Sequence, residues 1–449
     1  MAEHTVFIVG SGASEHVLAW ALARSPQVGQ IYVAPGNAGT EWTERDVARD
    51  APALAASQNV SIEATNVDGL VKFAKSKQVD LTVVGSPQAL LAGVADKFKQ
   101  AGLAIFAPLQ AVAQLEKSKG YTREFLKHHN VPTPKHGVFS EYEAAKDFID
   151  NFDSPVVVKA DGSSGGRGVI ICKGSKQARA ALNHIMVVRV FGKAGDRVVV
   201  EEKLEGSEIA MMAFTDGKTI KPLVPARSYN RAYEGNQGPN TAGMGALSPV
   251  KEIKTSQVDS IVQTIFKPIV DGMAQQGTPF VGIIYGDIIL TGDGPKVVDI
   301  NTIFGDPETS TVLPLLQTDI FDVMMACVNG TLDQVNLEWQ VETCATIVMA
   351  SPGYPGTYFP TGLPITGLDT VNLLNDIFVF HAETSGKNGR IVTNGGRVLS
   401  VTALGDDLSV ALLRAYDGVK RIQFEGAQYR RDIGRSRPRK FRTSFRRPK

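Results

Sequence analysis

Four short apolar runs near the N-terminus, TVFIVG (5–10), IYVAP (31–35), LTVVG (81–85) and LAIFAP (103–108), alternate with helix-like stretches such as VLAWALARS (17–25). Strands that are apolar throughout belong in a sheet covered on both faces, and helices between successive strands make that sheet parallel. This alternation constrains the fold more than any other feature. It predicts an α/β, Rossmann-like N-terminal domain, placed at 1–105, with its ligand crevice at the carboxyl ends of the strands. GSGASEH (10–16) and PGNAGT (35–40) lie there. GSGASE begins like a dinucleotide fingerprint but lacks the third glycine, and no acid ends the second strand, which argues against NAD. An anion such as phosphate suits the free amides and the dipole of the following helix.

The 449 residues are enough for two to four domains. Net charge is +1, so the chain as a whole has no electrostatic case for nucleic acid or an anionic membrane. Cys172, Cys327 and Cys344 are widely spaced, which predicts neither disulfides nor a zinc site and fits a reducing, cytoplasmic setting. No signal peptide and no membrane span are expected. The C-terminal RSRPRKFRTSFRRPK (435–449) has eight Lys or Arg and no acid. It reads as a disordered basic tail, with weak polyanion or RNA binding as the other possibility, although no stacking motif supports RNA.

A smaller α+β unit is expected at 106–195. It contains one helix over 111–129, a second over 141–150, strand PVVVKA (155–160), a glycine-rich turn and strand GVIICKG (168–174). At 196–333 follow strands RVVVEEKL and IAMMAFTDG, a long polar loop (226–248), a helix over 254–276 and a hairpin. Residues 334–434 form a closing domain with strands near CATIVMAS, IFVFHAE and RVLSVTAL.

The chemistry gathers in the middle of the chain. Lys159 ends a strand and precedes ADGSSGGRGV, whose glycines can fold over a ligand and offer N–H donors to phosphate, with Arg167 as an added cation. A hairpin turn with no ligand fits the same residues. The segment YGDIILTGDGPKVVDINT (285–302) reads as a hairpin in which Asp287 faces Asp299, with Asn301 on the same face. Like charges paired across strands are destabilising. They become useful if they share a hard cation such as Mg²⁺, which takes carboxylate and amide oxygens and bridges to substrate phosphates. An exposed hairpin with unrelated acids is the plainer alternative.

A strand-end lysine, a glycine-rich flap, Glu-x-x-Leu with a later Glu, and Asp…Asp-x-Asn, in that order, resemble the ATP-grasp superfamily. PGNAGT, VKADG, GPNTAGMGALSP, FGDPETSTVLPLL, GYPG, TNGGRVLSVTALG and YRRDIG together resemble the glycinamide ribonucleotide synthetase family over about 5–434. The resemblance implies an N-terminal domain, an ATP-grasp fold with a lid, and a small C-terminal α/β domain. It also implies ligation of glycine to 5-phosphoribosylamine through glycyl phosphate, with ATP and Mg²⁺ (or Mn²⁺).

By the same resemblance, Lys119, Lys159, Gly162, Gly165, Gly166 and Gly168 would contact ATP phosphates, Glu201 to Leu204 the adenine and Glu208 the ribose. Asp299 and Asn301, joined by Asp287, would hold the metal. Gly10, Gly12, Gly36, Asn37, Gly39 and Thr40 would bind the phosphoribosyl group. Gly243, Met244, Gly245, Asp306 and Glu308 would line the glycine and amine site, with Arg167, Arg231 and Asn240 as catalytic groups.

The chain departs from the family pattern at the site. Ser14 replaces an arginine, GSPQALL loses an acid, and Arg167 replaces a lysine. Ser228, Tyr229 and Asn230 replace Asp, His and Lys, Ile303 replaces an arginine, and Asp299 replaces a glutamate. Asp287 stands where the family has glycine, so a carboxylate arriving on the facing strand offsets the shortened Asp299. Three functions stay open at this point: the family's own ligase activity, a ligase for another substrate pair, and a non-catalytic nucleotide-binding relative.

Overall fold

The computed structural model describes residues 3–43, 55–152, 155–162, 168–356 and 358–435. The flap residues Gly165, Gly166 and Arg167 and all of the basic tail after Arg435 lie outside them.

The N-terminal runs form a parallel sheet. His4–Gly10 is central, with Val28–Pro35 and Ala56–Asn59 on one side and Leu81–Val84 and Ile105–Phe106 on the other. Strand order reverses at the central strand, which opens the expected crevice above Gly10. The edge strand Ala56–Asn59, sequence ASQN, has no apolar run and was not expected. The helix Ala13–Ala23 buries Val17, Leu18 and Leu22 against the sheet.

The helix expected over 111–129 is two helices, Gln114–Lys117 and Lys119–His128. Ser118 between them is extended, and its hydroxyl accepts from the Tyr121 N–H at 3.1 Å as an N-cap. Lys119 thereby becomes the first residue of a helix.

The lid is an antiparallel sheet in the order His136–Phe139, Val198–Glu202, Val156–Ala160, Val169–Ile171. The break expected at residue 195 therefore fails. Val198–Glu202 pairs on both edges inside the lid, where its three valines are covered from both faces.

The next sheet is ordered Ile220–Pro222, Ser207–Asp216, Val281–Thr291, Gly294–Asn301. One face packs on the helical run 255–275 through Ile265, Phe266 and Met273. The other packs on the N-terminal domain through Met212, Phe214 and Phe304.

A further correction concerns residues 226–248. They are not a loop: Arg227–Ser228 and Gly245–Ser248 join the C-terminal sheet beside Thr343–Ala350, Arg397–Gly405 and Ile377–His381. Between them Arg231–Tyr233 and Gln237–Asn240 form a small hairpin. The C-terminal unit thus draws two strands from before the boundary expected at 334, and Leu408–Arg421 covers its sheet. Among the described residues no helix is long and apolar enough to cross a membrane.

Candidate active site

Three segments meet where the lid sheet approaches the hairpin Val281–Asn301. Lys159, 5% exposed on the lid strand, lies with its Nζ 2.8 Å from Glu201 Oε2 and donates to the Val298 carbonyl at 2.7 Å. Arg123, on the helix that begins at Lys119, donates to Glu201 Oε1 at 2.6 Å. Lys119 Nζ donates to Asp299 Oδ2 at 2.8 Å. Burial alone would push both acids up. Lys119 then Lys159 outweigh it at Asp299, and Lys159 then Arg123 at Glu201, so both carboxyls are held below their ordinary range. Burial keeps Lys159 below the usual ammonium range despite Glu201.

Glu201 does not meet its expected role. Its side chain is 2% exposed and occupied by two cations, and its backbone lies in a central strand paired on both edges. Beyond it the Lys203 N–H still donates to the Pro155 carbonyl at 2.8 Å, and Leu204 lies past the ladder. At the base of the flap, Asp161 accepts from Ser118 Oγ at 2.9 Å and the Gly120 N–H at 3.1 Å, which ties the flap's entry to Lys119. Gly162 and Gly168 bracket the flap, and the Ala160 N–H donates to the Gly168 carbonyl.

The hairpin pairs Asp287 with Asp299, as expected to within about one residue, and Tyr285 with Asn301. Asp287 Oδ1 accepts from the Tyr285 hydroxyl at 2.7 Å, and the same hydroxyl lies 3.3 Å from Glu308 Oε1. Burial, then the charges of Glu208 and Glu308, push the Asp287 carboxyl well above its ordinary range. Burial raises Glu308 as well, although Ser228 Oγ donates to it. Among the described residues no group of three or more His, Cys, Asp or Glu is arranged as a ready metal cage. Two opposed carboxylates and an amide, facing uncompensated negative charge, nevertheless fit a hard divalent cation that takes its other ligands from phosphates.

The GPNTAGMG loop is pressed against the GDPE segment. A Cβ at Gly243 would collide with the Pro307 ring, so only glycine permits this approach. Arg397 holds Asp306 in a two-pronged pair (Nη1–Oδ1 3.0 Å, Nη2–Oδ2 3.1 Å) and also donates to the Ala242 carbonyl at 3.0 Å. Arg231 and Asn240 sit opposite each other in the small hairpin, with Arg231 Nη1 donating to the Gly238 carbonyl. Met244 and Gly245 are buried backbone of the C-terminal sheet.

In the N-terminal crevice several expected ligand contacts are internal ones. Thr40 is fully buried, with its hydroxyl bonded to the Asn37 carbonyl and to Asn59. The Asn37 amide donates to Ser11 and His381 carbonyls, both at 2.9 Å, tying the two crevice loops to the C-terminal sheet. Gly36 and Gly39 are packing glycines, the latter under His16 and His381. Gly10 and Gly12 lie against Glu15, whose carboxylate accepts the Gly12 N–H at 2.6 Å. These residues shape the crevice, and their backbone is what it offers a ligand.

Models of phosphoribosylglycinamide synthetase match the chain in three consecutive parts: the N domain over 4–116, the ATP-grasp (A) domain over 117–309 and the C domain over 344–436. The phosphoribosylamine–glycine ligase of Vibrio parahaemolyticus is 41% identical over 96% of this chain and 97% of its own length. The chain belongs to the phosphoribosylamine–glycine ligase family. The trifunctional purine biosynthetic protein adenosine-3 of Gallus gallus is 44% identical over 96% of this chain, and the chain spans 42% of that protein's length. Among solved structures, the phosphoribosylamine–glycine ligase of Thermotoga maritima superposes with a TM-score of 0.80 at 28% identity, covering 95% of this chain and 99% of the other. A biotin carboxylase of Campylobacter jejuni, at 13% identity and a TM-score of 0.67, shares the fold alone.

Against the family pattern, Ser14, Ile303, Tyr229 and Asn230 have structural employment. Ser14 Oγ donates to the Gly305 carbonyl at 3.2 Å, and Ile303 packs on the N-terminal core. Tyr229 carries the Arg430 guanidinium over its ring, and the Asn230 carbonyl accepts from Thr241. Sequence reasoning missed Arg123, Tyr285 and Arg397. A signal existed for Arg123, four residues after Lys119 and so on the same helix face, and for Arg397 inside TNGGRVLS.

Proposed function

We propose that this protein uses ATP to join the carboxylate of glycine to the amine of 5-phosphoribosylamine through glycyl phosphate, acting in the cytoplasm. The observation that carries this is the convergence of Lys119, Lys159 and Asp299, from three separate segments, beside a hairpin that opposes two carboxylates. Lys119 and Lys159 neutralise phosphate oxygens as the phosphoryl group moves. Asp287, Asp299 and Asn301 are the residues that would hold Mg²⁺, or Mn²⁺ in its place, which supplies charge neutralisation at the same oxygens. Leu204 and its neighbours take the adenine by backbone contacts and Glu208 the ribose, while the 162–168 flap excludes water from the acyl phosphate. The backbone of Gly10, Gly12 and Gly36 receives the phosphoribosyl group. Asp306, Glu308, Arg231 and Asn240 orient glycine and the attacking amine.

A ligase for another substrate pair is the second reading, favoured by two substitutions. The apolar Ile303 packs where the family carries a cation, and Ser228 replaces an acid beside Glu308. One experiment separates the two: ADP release with Mg-ATP, glycine and freshly generated phosphoribosylamine, each omitted in turn. Turnover that needs all three supports the first. Turnover only with other carboxylates or amines supports the second, and no turnover with any pair sinks both.

A further inference from the structure

The metal hairpin contains one residue too many. From Thr291↔Gly294 to Ile288↔Val297 the two strands pair in regular register, and the next pair is Asp287↔Asp299. Val298 is skipped, so it is a β-bulge on the strand that carries Asp299 and Asn301. Side chains alternate between faces along a strand, so a shift of one residue moves every side chain beyond it to the other face. Had the ladder continued without the bulge, Asp287 would pair with Val298. Asp299 would then pair with Gly286 and point away from Asp287. The shared face of the two carboxylates depends on this single extra residue.

A bulge leaves backbone groups outside the ladder, and buried ones need partners. Here the Val298 carbonyl accepts from Arg123 Nη2 at 2.5 Å and from Lys159 Nζ at 2.7 Å. Arg123 reaches further: Nη1 donates to the Val297 carbonyl at 3.3 Å and to Thr133 Oγ1 at 2.8 Å, while Nε is fixed by Glu201. Its side chain is 3% exposed. On the far side of the bulge, Glu116 accepts from the Thr302 N–H at 3.0 Å. The short segment between these anchors is Asp299–Asn301. Lys159 is the phosphate contact of the proposed function and must be free to turn towards a nucleotide. Arg123, buried and bonded through Nε, Nη1 and Nη2 to protein acceptors, has no such second task in the proposed function.

We propose that Arg123 is a positioning residue that stabilises the Val298 bulge and so fixes the register that puts Asp299 on the same face as Asp287. This rests on the reading of those two acids as metal ligands. A residue that merely supported the fold would lower stability when replaced and leave the metal dependence alone.

The test is calorimetric titration of the full chain with ATP, once with Mg²⁺ and once with a chelator. The gain in affinity due to the metal is compared in wild type, Arg123→Lys, a chain lacking Val298, and the combination of the two. Lysine keeps the charge but cannot bond Val297, Val298, Glu201 and Thr133 together. Arg123→Lys is expected to lose about tenfold of the metal-dependent gain, the range for groups that orient metal ligands. Removing Val298 makes the ladder regular with Asp299 still opposite Asp287, so the combined variant should regain the metal response.

An unchanged metal response in Arg123→Lys overturns the proposal, as does a loss that removal of Val298 does not repair. Should Arg123→Lys alone fail to fold, the combined variant decides: folded and metal-responsive supports the proposal, and anything else overturns it. A wild-type chain that binds ATP with no metal-dependent gain defeats the metal reading itself, and this inference with it. A normal wild-type response with an unaffected variant defeats only the inference.

Discussion

The two halves of the site treat charge in opposite ways. On the nucleotide side, Glu201 and Asp299 are each bonded to cations, and their carboxyls are held below the ordinary range. On the facing strand and beyond it, Asp287 and Glu308 share the Tyr285 hydroxyl, Glu208 adds its charge at Asp287, and both are pushed up by burial. The first half is already neutralised by the protein, so the triphosphate of the proposed reaction would meet a fixed frame. In the second, burial disfavours the charged carboxylates, and an incoming cation or ammonium group would favour them. Paired buried charge gives rigidity, and unpaired buried charge gives affinity for what is missing.

Replacing one acid on each side by its amide is the sharpest way to break this contrast. Asp287→Asn is expected to cut ATP turnover by about 1000-fold, the scale of losing a charge that acts on the transition state. It should weaken Mg²⁺ binding and at the same time raise the melting temperature of the ligand-free protein, because repulsion is removed. Steady-state ADP assays and thermal melts check both; a lower melting temperature would contradict the contrast.

Arg397→Met, which frees Asp306 from its two-pronged pair, should lower kcat/KM for the acceptor amine by roughly 100-fold while Mg-ATP affinity holds. Equal losses for both substrates would mean the halves are not separable.

Glu201→Gln has the opposite sign to Asp287→Asn in stability. It leaves buried Lys159 and Arg123 without their acid and should cost about 3–5 kcal/mol in chemical denaturation. Since the folded pKa of Glu201 is depressed, its contribution is present above the unfolded value and lost as pH falls through the folded one.

The smallest effect concerns Glu15, whose carboxyl burial raises to about 7. A raised folded pKa means the stabilisation is complete below the unfolded value of 4.5 and disappears as pH climbs through about 7. Stability should therefore decline by roughly 2–3 kcal/mol between these pH values on account of this group. Denaturation at pH 5 and pH 8 should show the decline in wild type and a flatter profile in Glu15→Gln.

Much of the fold was legible because it rests on local periodicity. TVFIVG, IYVAP and LTVVG read as buried parallel strands, and the Asp293 turn put Asp287 opposite Asp299 within about one residue. What escaped had no local signal. Ala56–Asn59 is a polar edge strand, and Val198–Glu202 enters the lid although nothing in RVVVEEKL names its neighbours. Glu201 read as a ligand contact because an acid at a strand end looks alike whether it faces a nucleotide or two buried cations. Asn37 and Thr40 read as substrate contacts for the same reason: polar residues in a glycine loop can bond a ligand or one another.

The sequence by itself determined the layers, the order of the domains, and which residues of charge and flexibility stand near one another along the chain. These follow from hydrophobic period and turn chemistry, which act over a few residues. The tertiary structure alone decided the pairing of charges. It set Lys159 and Arg123 on one acid, clamped Asp306 with an arginine ninety-one positions away, and chose a bulge at Val298 that turned Asp299 towards Asp287. Hydrogen bonds and ion pairs have no range along the sequence, and their partners exist only once the backbone has brought distant segments within about 3 Å of each other.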